Sequence, residues 1–419
     1  MISHPNHTRL SGSISTTICI TSSFLTSSFL TFPSLTLYSS PNLTTWTLSS
    51  NVFNRPSQVS EFATLDTNAD EGFWAATVRY HDGLLYVVVT YIDYDPKLKA
   101  TYYLFTTLDP YDDTAWSASL QISNPPKTID PDLFWDDDDG TLYIASEWGA
   151  MYPSTLTLTT STSSSPAARI WNGTSNSNPE DPHIYKKASY HHLLIAEGSS
   201  GLNHSATIAR SPSSIWGPYE SYPGNPILTN RGTGGVLSDR WTCGFLSGWG
   251  WGDWWGAALA TRSGSGFEVS LMGRETVMFP VSWLEGGWPV ADPVRGEMSW
   301  WNLPLSASPP RHDEILVDGA DIVNSTPARQ YLETRSTTAS PSHHPTPSPP
   351  PGQPKTLQRV PSSANLTANS AVRASDGLTF IARRQTATLF KFSVDFDFSP
   401  RREGEEAGDH GVYYPGTAC

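Results

Sequence analysis

Cysteine is nearly absent. Cys19, Cys243 and Cys419 are the only three in 419 residues. Three thiols cannot build the paired framework of a small disulfide-stabilised domain, so the fold must rest on a buried apolar core. Positive charge is scarce too. Lys and Arg number 26 against 40 Asp and Glu, a net charge of −14. Phosphate binding needs the opposite balance, which excludes nucleic acid as a partner. No apolar run is long enough for a membrane helix. Ile18 to Phe32 is broken throughout by Ser and Thr, and Arg9 is the only Lys or Arg ahead of it. That stretch lacks the basic start of a secretory leader, so neither a leader nor a membrane anchor is expected from it. Long helical periodicity is missing. Acidic residues are missing from the first 60 positions, Glu61 being the first.

What remains is a chain of short strands. Candidates recur between turn signals at Ile18–Ile20, Leu35–Tyr38, Leu84–Tyr91, Tyr102–Thr106, Leu142–Ser146, Tyr190–Glu197, Thr207–Ser211 and Trp254–Thr261. Asp82-Gly83 and Asp139-Gly140 mark hairpin turns. This pattern is all-β and fits a propeller, sandwich or barrel. Residues 301–354 read as a connector, rich in Ser, Thr and Pro from Ser336 to Pro354. Alternation resumes in 355–419, as in Leu389–Phe396, but that stretch is short for a β-sandwich and looks cut off. Aromatics make up 12% of the chain, including 16 Trp, against 16% charged residues. Trp at this density fills β cores, and it also suits a cleft where rings stack on sugar C–H faces. Six Asn-x-Ser/Thr sequons occur, as Ser- and Thr-rich composition produces by chance.

Two acidic segments carry chemistry. Glu180 stands between Pro179 and Pro182, ahead of the apolar run Leu193-Leu194-Ile195-Ala196. Prolines on both sides predict an extended backbone that holds the carboxyl at a strand mouth, as a general acid requires. An exposed Glu on a strand-edge loop would read the same in isolation. Upstream, Ile129-Asp130-Pro131-Asp132 supplies a second carboxylate on a Pro-stiffened turn, and two positioned carboxylates are the minimum for glycoside hydrolysis. The run Asp136–Asp139 reads as a solvated hairpin turn rather than a metal site.

Taken in order, these segments resemble glycoside hydrolase family 43, the fungal β-xylosidase and α-L-arabinofuranosidase group. Gly72-Phe73-Trp74-Ala75-Ala76-Thr77-Val78-Arg79-Tyr80-His81-Asp82-Gly83 is similar to that family's G-x-W-A-P-x-x-R-Y-x-D-G, and the Asp130 and Glu180 segments to its second and third acidic motifs. Leu271–Thr276 with Gly286–Val290 is similar to its L-G-R-E-T and G-W-P-V. Pro361–Leu366 and Phe380–Gln385 resemble its C-terminal concanavalin-A-like sandwich. The resemblance implies a five-bladed propeller over about 15–300, a partial sandwich over 355–419, and inverting hydrolysis that releases xylose or arabinose from plant cell-wall oligosaccharides. It implies Glu180 as general acid, Asp130 as the group that tunes and orients it, Arg274 as a sugar-binding Arg and Trp74 as a pocket wall. An ion pair of Arg274 with Glu275 or with a carboxylate of another blade is the plain alternative for that residue.

The chain departs from the family twice. The family's general base is an Asp in a P-D-P-S-like segment before the first strand, and Met1 to Thr16 contains no Asp. The general base is therefore not found, and a start set too far in or a lost exon is the simplest account. Val236–Phe245 also lacks the His of the family's G-H-A-D-like segment, so no metal ion or other cofactor is expected. A local frame disturbance or a true variant loop would both produce this. Two functions follow: an exo-acting glycosidase, or a sugar-binding propeller impaired by loss of the base.

Overall fold

A computed structural model describes residues 17–20, 31–40, 43–44, 46–59, 72–93, 99–123, 129–147, 151–163, 169–174, 178–198, 204–212, 214–231, 233, 237–247, 254–262, 274–299, 301, 330–332, 380–382 and 399. The described regular structure is strand apart from short 3-10 turns. The strands are β1 (Thr17–Ile20), β2 (Thr31–Phe32), β3 (Ser34–Ser40), β4 (Thr47–Phe53), β5 (Gly72–His81), β6 (Leu84–Asp93), β7 (Lys99–Thr107) and β8 (Leu120–Ile122). They continue with β9 (Ile129–Trp135), β10 (Leu142–Glu147), β11 (Met151–Thr157), β12 (Thr162–Ser163), β13 (Glu180–Lys187), β14 (Tyr190–Glu197), β15 (Ser205–Ser211) and β16 (Glu220–Ser221). Last come β17 (Leu237–Ser247), β18 (Trp254–Arg262), β19 (Arg274–Trp283), β20 (Pro289–Ala291), β21 (Gln330–Leu332) and β22 (Phe380–Ala382).

Sequential antiparallel pairing groups β5–β8, β9–β12, β13–β16 and β17–β20 into four four-stranded sheets. The hairpin signals act as read. His81 pairs with Leu84 across Asp82 and Gly83, whose φ values of 47° and 85° are those of a two-residue turn that needs left-handed residues.

Successive sheets pack face to face, and alternation along each strand feeds a different core on each side. Val87 and Val89 of β6 point into one cluster and Val88 into the next. In β9, Leu133 and Trp135 face the β5–β8 sheet while Phe134 faces Ile184 and Leu193 of the β13–β16 sheet. In β14, Leu194 turns the other way, towards Trp254 and Phe279. Burial on both faces explains why these strands read as continuous apolar runs. Each fully buried Val or Leu contributes about 1.5–3 kcal/mol. This is the packing of propeller blades. Where five blades are expected, four four-stranded ones are formed among the described residues. The remaining N-terminal sheet, β1–β3–β4, has three strands and packs Leu35, Leu37, Val52 and Phe53 on Phe73 and Phe105.

One expectation needs correction. Asp136 is not part of a solvated turn. It is buried, accepting hydrogen bonds from Lys186 Nζ and the backbone N–H of Asp138 and pairing with His191 Nε2 at 2.9 Å. Asp137, Asp138 and Asp139 are the exposed part. Gln330–Leu332, inside the expected connector, forms a small sheet with β2 and β22. Leu389–Phe396 and the rest of the expected sandwich lie outside the described residues.

Candidate active site

The first strand of each of the four blades is interrupted by a bulge near its start. In β5, Trp74 pairs with Thr90 and Ala76 with Val89, which leaves Ala75 unpaired. In β9, Asp130-Pro131 stands against Ser146 alone. In β13, Asp181-Pro182 stands against Ile195 alone. β17 is irregular between Asp239 and Cys243. Bulges re-aim side chains and concentrate beside active sites. Proline suits them, because it has no N–H to lose from the ladder. Pro179 and Pro182 therefore frame a kink and not the straight run expected. Asp130 (φ 52°) and Asp181 (φ 50°) are in the left-handed region, and Ala75 (φ 31°) lies near it. Backbone conformations of this kind cost of order 1–3 kcal/mol each and persist only where the surroundings impose them.

These bulges bring two of the four proposed site residues together. Asp130 is partly buried. Burial, then the negative charges of Glu147, Asp181 and Glu180, hold its carboxyl well above the usual range. Glu180 opens β13 beside it, partly buried. Trp74 occupies the corresponding place beside the β5 bulge, also partly buried. Arg274 begins β19, with its backbone paired to Thr261, and its side chain lies outside the described residues. Its neighbour Glu275 is held by the Arg262 fork at 2.6 and 2.7 Å.

The residues that sequence reasoning missed lie directly behind the acids. Arg79 of β5 donates Nε and Nη2 to the two oxygens of Asp132 on β9, at 2.8 and 2.6 Å. The backbone N–H of Ile184 on β13 donates to Asp132 Oδ2 at 3.0 Å. His183 has Nδ1 3.7 Å from Asp132 Oδ1 and Nε2 3.1 Å from Asp181 Oδ2. All four side chains are buried. Burial alone would raise the Asp132 carboxyl, but Arg79 and the His183 hydrogen bond outweigh it and hold it below the ordinary value. Burial alone would lower His183; the charge of Asp181 and hydrogen bonds to Asp132 and Asp181 push it up to about 9. The signal was present as a repeated grammar, Asp-Pro-Asp in β9 and Asp-Pro-His in β13, with the third residue of each, Asp132 and His183, entering the network.

Chemically, the arrangement sets Asp130, its carboxyl raised by burial and by neighbouring carboxylates, beside Glu180 over a buried charged network. The His by which the resemblance would bind a metal is absent from Leu237–Ser247, so no step is assigned to an ion.

Comparison with known proteins fits this geometry. The family model described as Glycosyl hydrolases family 43 matches residues 17–289. The chain is 30% identical over 393 residues to a non-reducing end alpha-L-arabinofuranosidase of Bacteroides ovatus, covering 90% of this chain and 67% of that protein. It is 30% identical over 289 residues to a xylosidase/arabinosidase of Butyrivibrio fibrisolvens, covering 64% and 52%. A solved Bacteroides ovatus structure, Xyloglucan PUL GH43B, superposes with a TM-score of 0.66 at 26% identity over 92% of this chain and 72% of that one. The chain thus spans about half to two thirds of the two curated relatives.

Proposed function

The chain belongs to the family 43 glycosyl hydrolases, and on that basis we propose that it hydrolyses O-glycosyl bonds with inversion, releasing xylose or arabinose from xylan-derived oligosaccharides. The observation that carries this reading is the placement of Asp130 and Glu180 on neighbouring bulged strands, where burial first and then the charges of Glu147, Asp181 and Glu180 hold the Asp130 carboxyl well above its usual range. Like charges near one another make a proton on a carboxyl harder to remove. In this reading Glu180 delivers it to the leaving oxygen, and Asp130 orients Glu180 and keeps the proton in place. Arg274 binds the sugar and Trp74 lines the pocket. The water-activating base is not among residues 1–60, which contain no carboxylate. Turnover is preferred to a sugar-binding role alone, because the relatives are named as hydrolases. We count β1–β3–β4 as the fifth blade, because it packs on β5–β8 as the other blades pack on each other, and we assign 355–419 to a partial concanavalin-A-like sandwich.

The test is Glu180→Gln, which keeps the shape of the side chain but has no proton to give. Hydrolysis of xylobiose should fall at least ~10²-fold, and hydrolysis of an activated aryl xyloside far less, because that leaving group departs unaided. An equal loss on both substrates, or none, would remove Glu180 from the acid role.

A further inference from the structure

We propose that His183 is a positioning residue: a charged imidazolium clamped between Asp181 and Asp132 that fixes the Glu180–Asp181 bulge of β13 against β9, and so sets the approach of Glu180 to Asp130. The inference deepens the reading above and rests on it for the roles of Glu180 and Asp130.

The geometry supplies each link. Asp181 is joined to Glu180 by one peptide bond, and its backbone is in the left-handed region at φ 50°. Something must impose that conformation, and its carboxylate is held by His183 Nε2 at 3.1 Å. The other ring nitrogen faces Asp132. Asp132 is itself immobile, with Arg79 on both oxygens and the Ile184 N–H on one. A rigid post on β9 thus reaches through one ring to the side chain next to the proposed acid. The ring hydrogen-bonds the Asp181 carboxylate and stands 3.7 Å from that of Asp132, so the imidazolium is attracted to both charges where a neutral ring would serve only the first. The charged groups against the ring are Asp132 of β9 and Asp181 of β13; Arg79 of β5 reaches it only through Asp132, and the Tyr185 ring of β13 lies 6.5 Å away. Two carboxylates against one guanidinium leave room for one more positive charge, and His183 supplies it.

Three readouts test the clamp without depending on turnover. Ring ¹⁵N spectra of the intact chain at pH 7 should show both His183 nitrogens protonated; a neutral ring overturns the proposal. A crystal structure of His183→Gln should show the Glu180 carboxyl moved from its place beside Asp130; an unmoved Glu180 in the folded variant overturns it. In the same variant the ¹³C titration of Asp130 should shift upward by ~0.5 unit or more, because the cation that offsets Asp181 is gone. A plain packing role would leave that midpoint where it was, and an unchanged midpoint overturns the proposal. Should His183→Gln not fold, Asp181→Asn removes the other half of the contact while keeping its shape, and the same displacement of Glu180 is expected. The Glu180→Gln assay fails independently: full xylobiose hydrolysis there would sink the acid assignment while leaving a charged, clamped His183 intact.

Discussion

Asp132 has no exposed surface, and Arg79 together with the Ile184 N–H claims both its oxygens. Such a charge is tolerable only while its partners remain, since removing one side of a buried pair leaves the other uncompensated. Arg79→Met keeps much of the apolar stem and deletes the cation. It should cost about 3 kcal/mol in urea unfolding, the low end of the range for broken buried pairs, because His183 still faces Asp132. A loss below about 1 kcal/mol would mean that Asp132 is neutralised in another way. Asp130 presents the opposite case. Its carboxyl is raised by burial and by like charges, so the folded protein binds that proton more tightly than the unfolded chain does. As pH climbs past the ordinary carboxylate range the unfolded chain releases the proton first, and stability is lost until the folded pKa is passed. Asp130→Asn carries no such penalty. It should raise the melting temperature more at pH 7 than at pH 4, while xylobiose hydrolysis falls ~10²-fold. Equal gains at the two pH values would contradict the raised pKa. These two aspartates differ by only two positions, and the sequence marks them alike. Only pairing across three strands gives one a guanidinium and the other three carboxylates.

At the scale of elements, the sequence was legible where local chemistry decides. Tyr190–Glu197 was read at its actual bounds, and Leu142–Ser146 fell one residue short of β10, because short apolar runs and the Asp139-Gly140 turn are local signals. The bulges were not legible. A bulge is a property of register, and register depends on which partner strand arrives and where. Asp-Pro was seen as a stiff turn before a strand when it lies within the strand as its irregularity. The same dependence on partners governs Gly256 in β18. It pairs with Phe279 of β19, and a Cβ built on it would sit 2.1 Å from the Phe279 ring. Phe279 is fully buried and has no room to yield. Gly256→Ala should therefore destabilise by about 1–3 kcal/mol through overpacking. Adding Phe279→Leu should recover part of that loss, because the two changes share one space and will not add. Strict additivity in thermal melts would show that the ring is not the obstacle.

Across the molecule, the buried network does what no single blade can do. Arg79, Asp132 and His183 belong to the first strands of three successive four-stranded sheets, and their contacts tie β5 to β9 and β9 to β13. The apolar clusters between blades are non-directional and would tolerate small slides of one sheet over another. Charged hydrogen bonds of fixed geometry would not. The site carboxyls sit at the starts of these same strands, so the blades' mutual register is also the register of Asp130 and Glu180. This coupling has a pH signature with a definite sign. His183 is raised from its ordinary value to about 9, so its contribution to stability is complete below the unfolded value, roughly 6.5, and is lost as pH rises through about 9. Hydrogen exchange compared at pH 7 and pH 9.5, corrected for the intrinsic rate, should show β9 and β13 losing protection together around the bulges, while β18 and β19, packed on Phe279, keep theirs. His183→Gln should already show the weakened pattern at pH 7 and change little by pH 9.5. If β13 opens alone, or if all four blades open in step, the network does not join these strands as a unit.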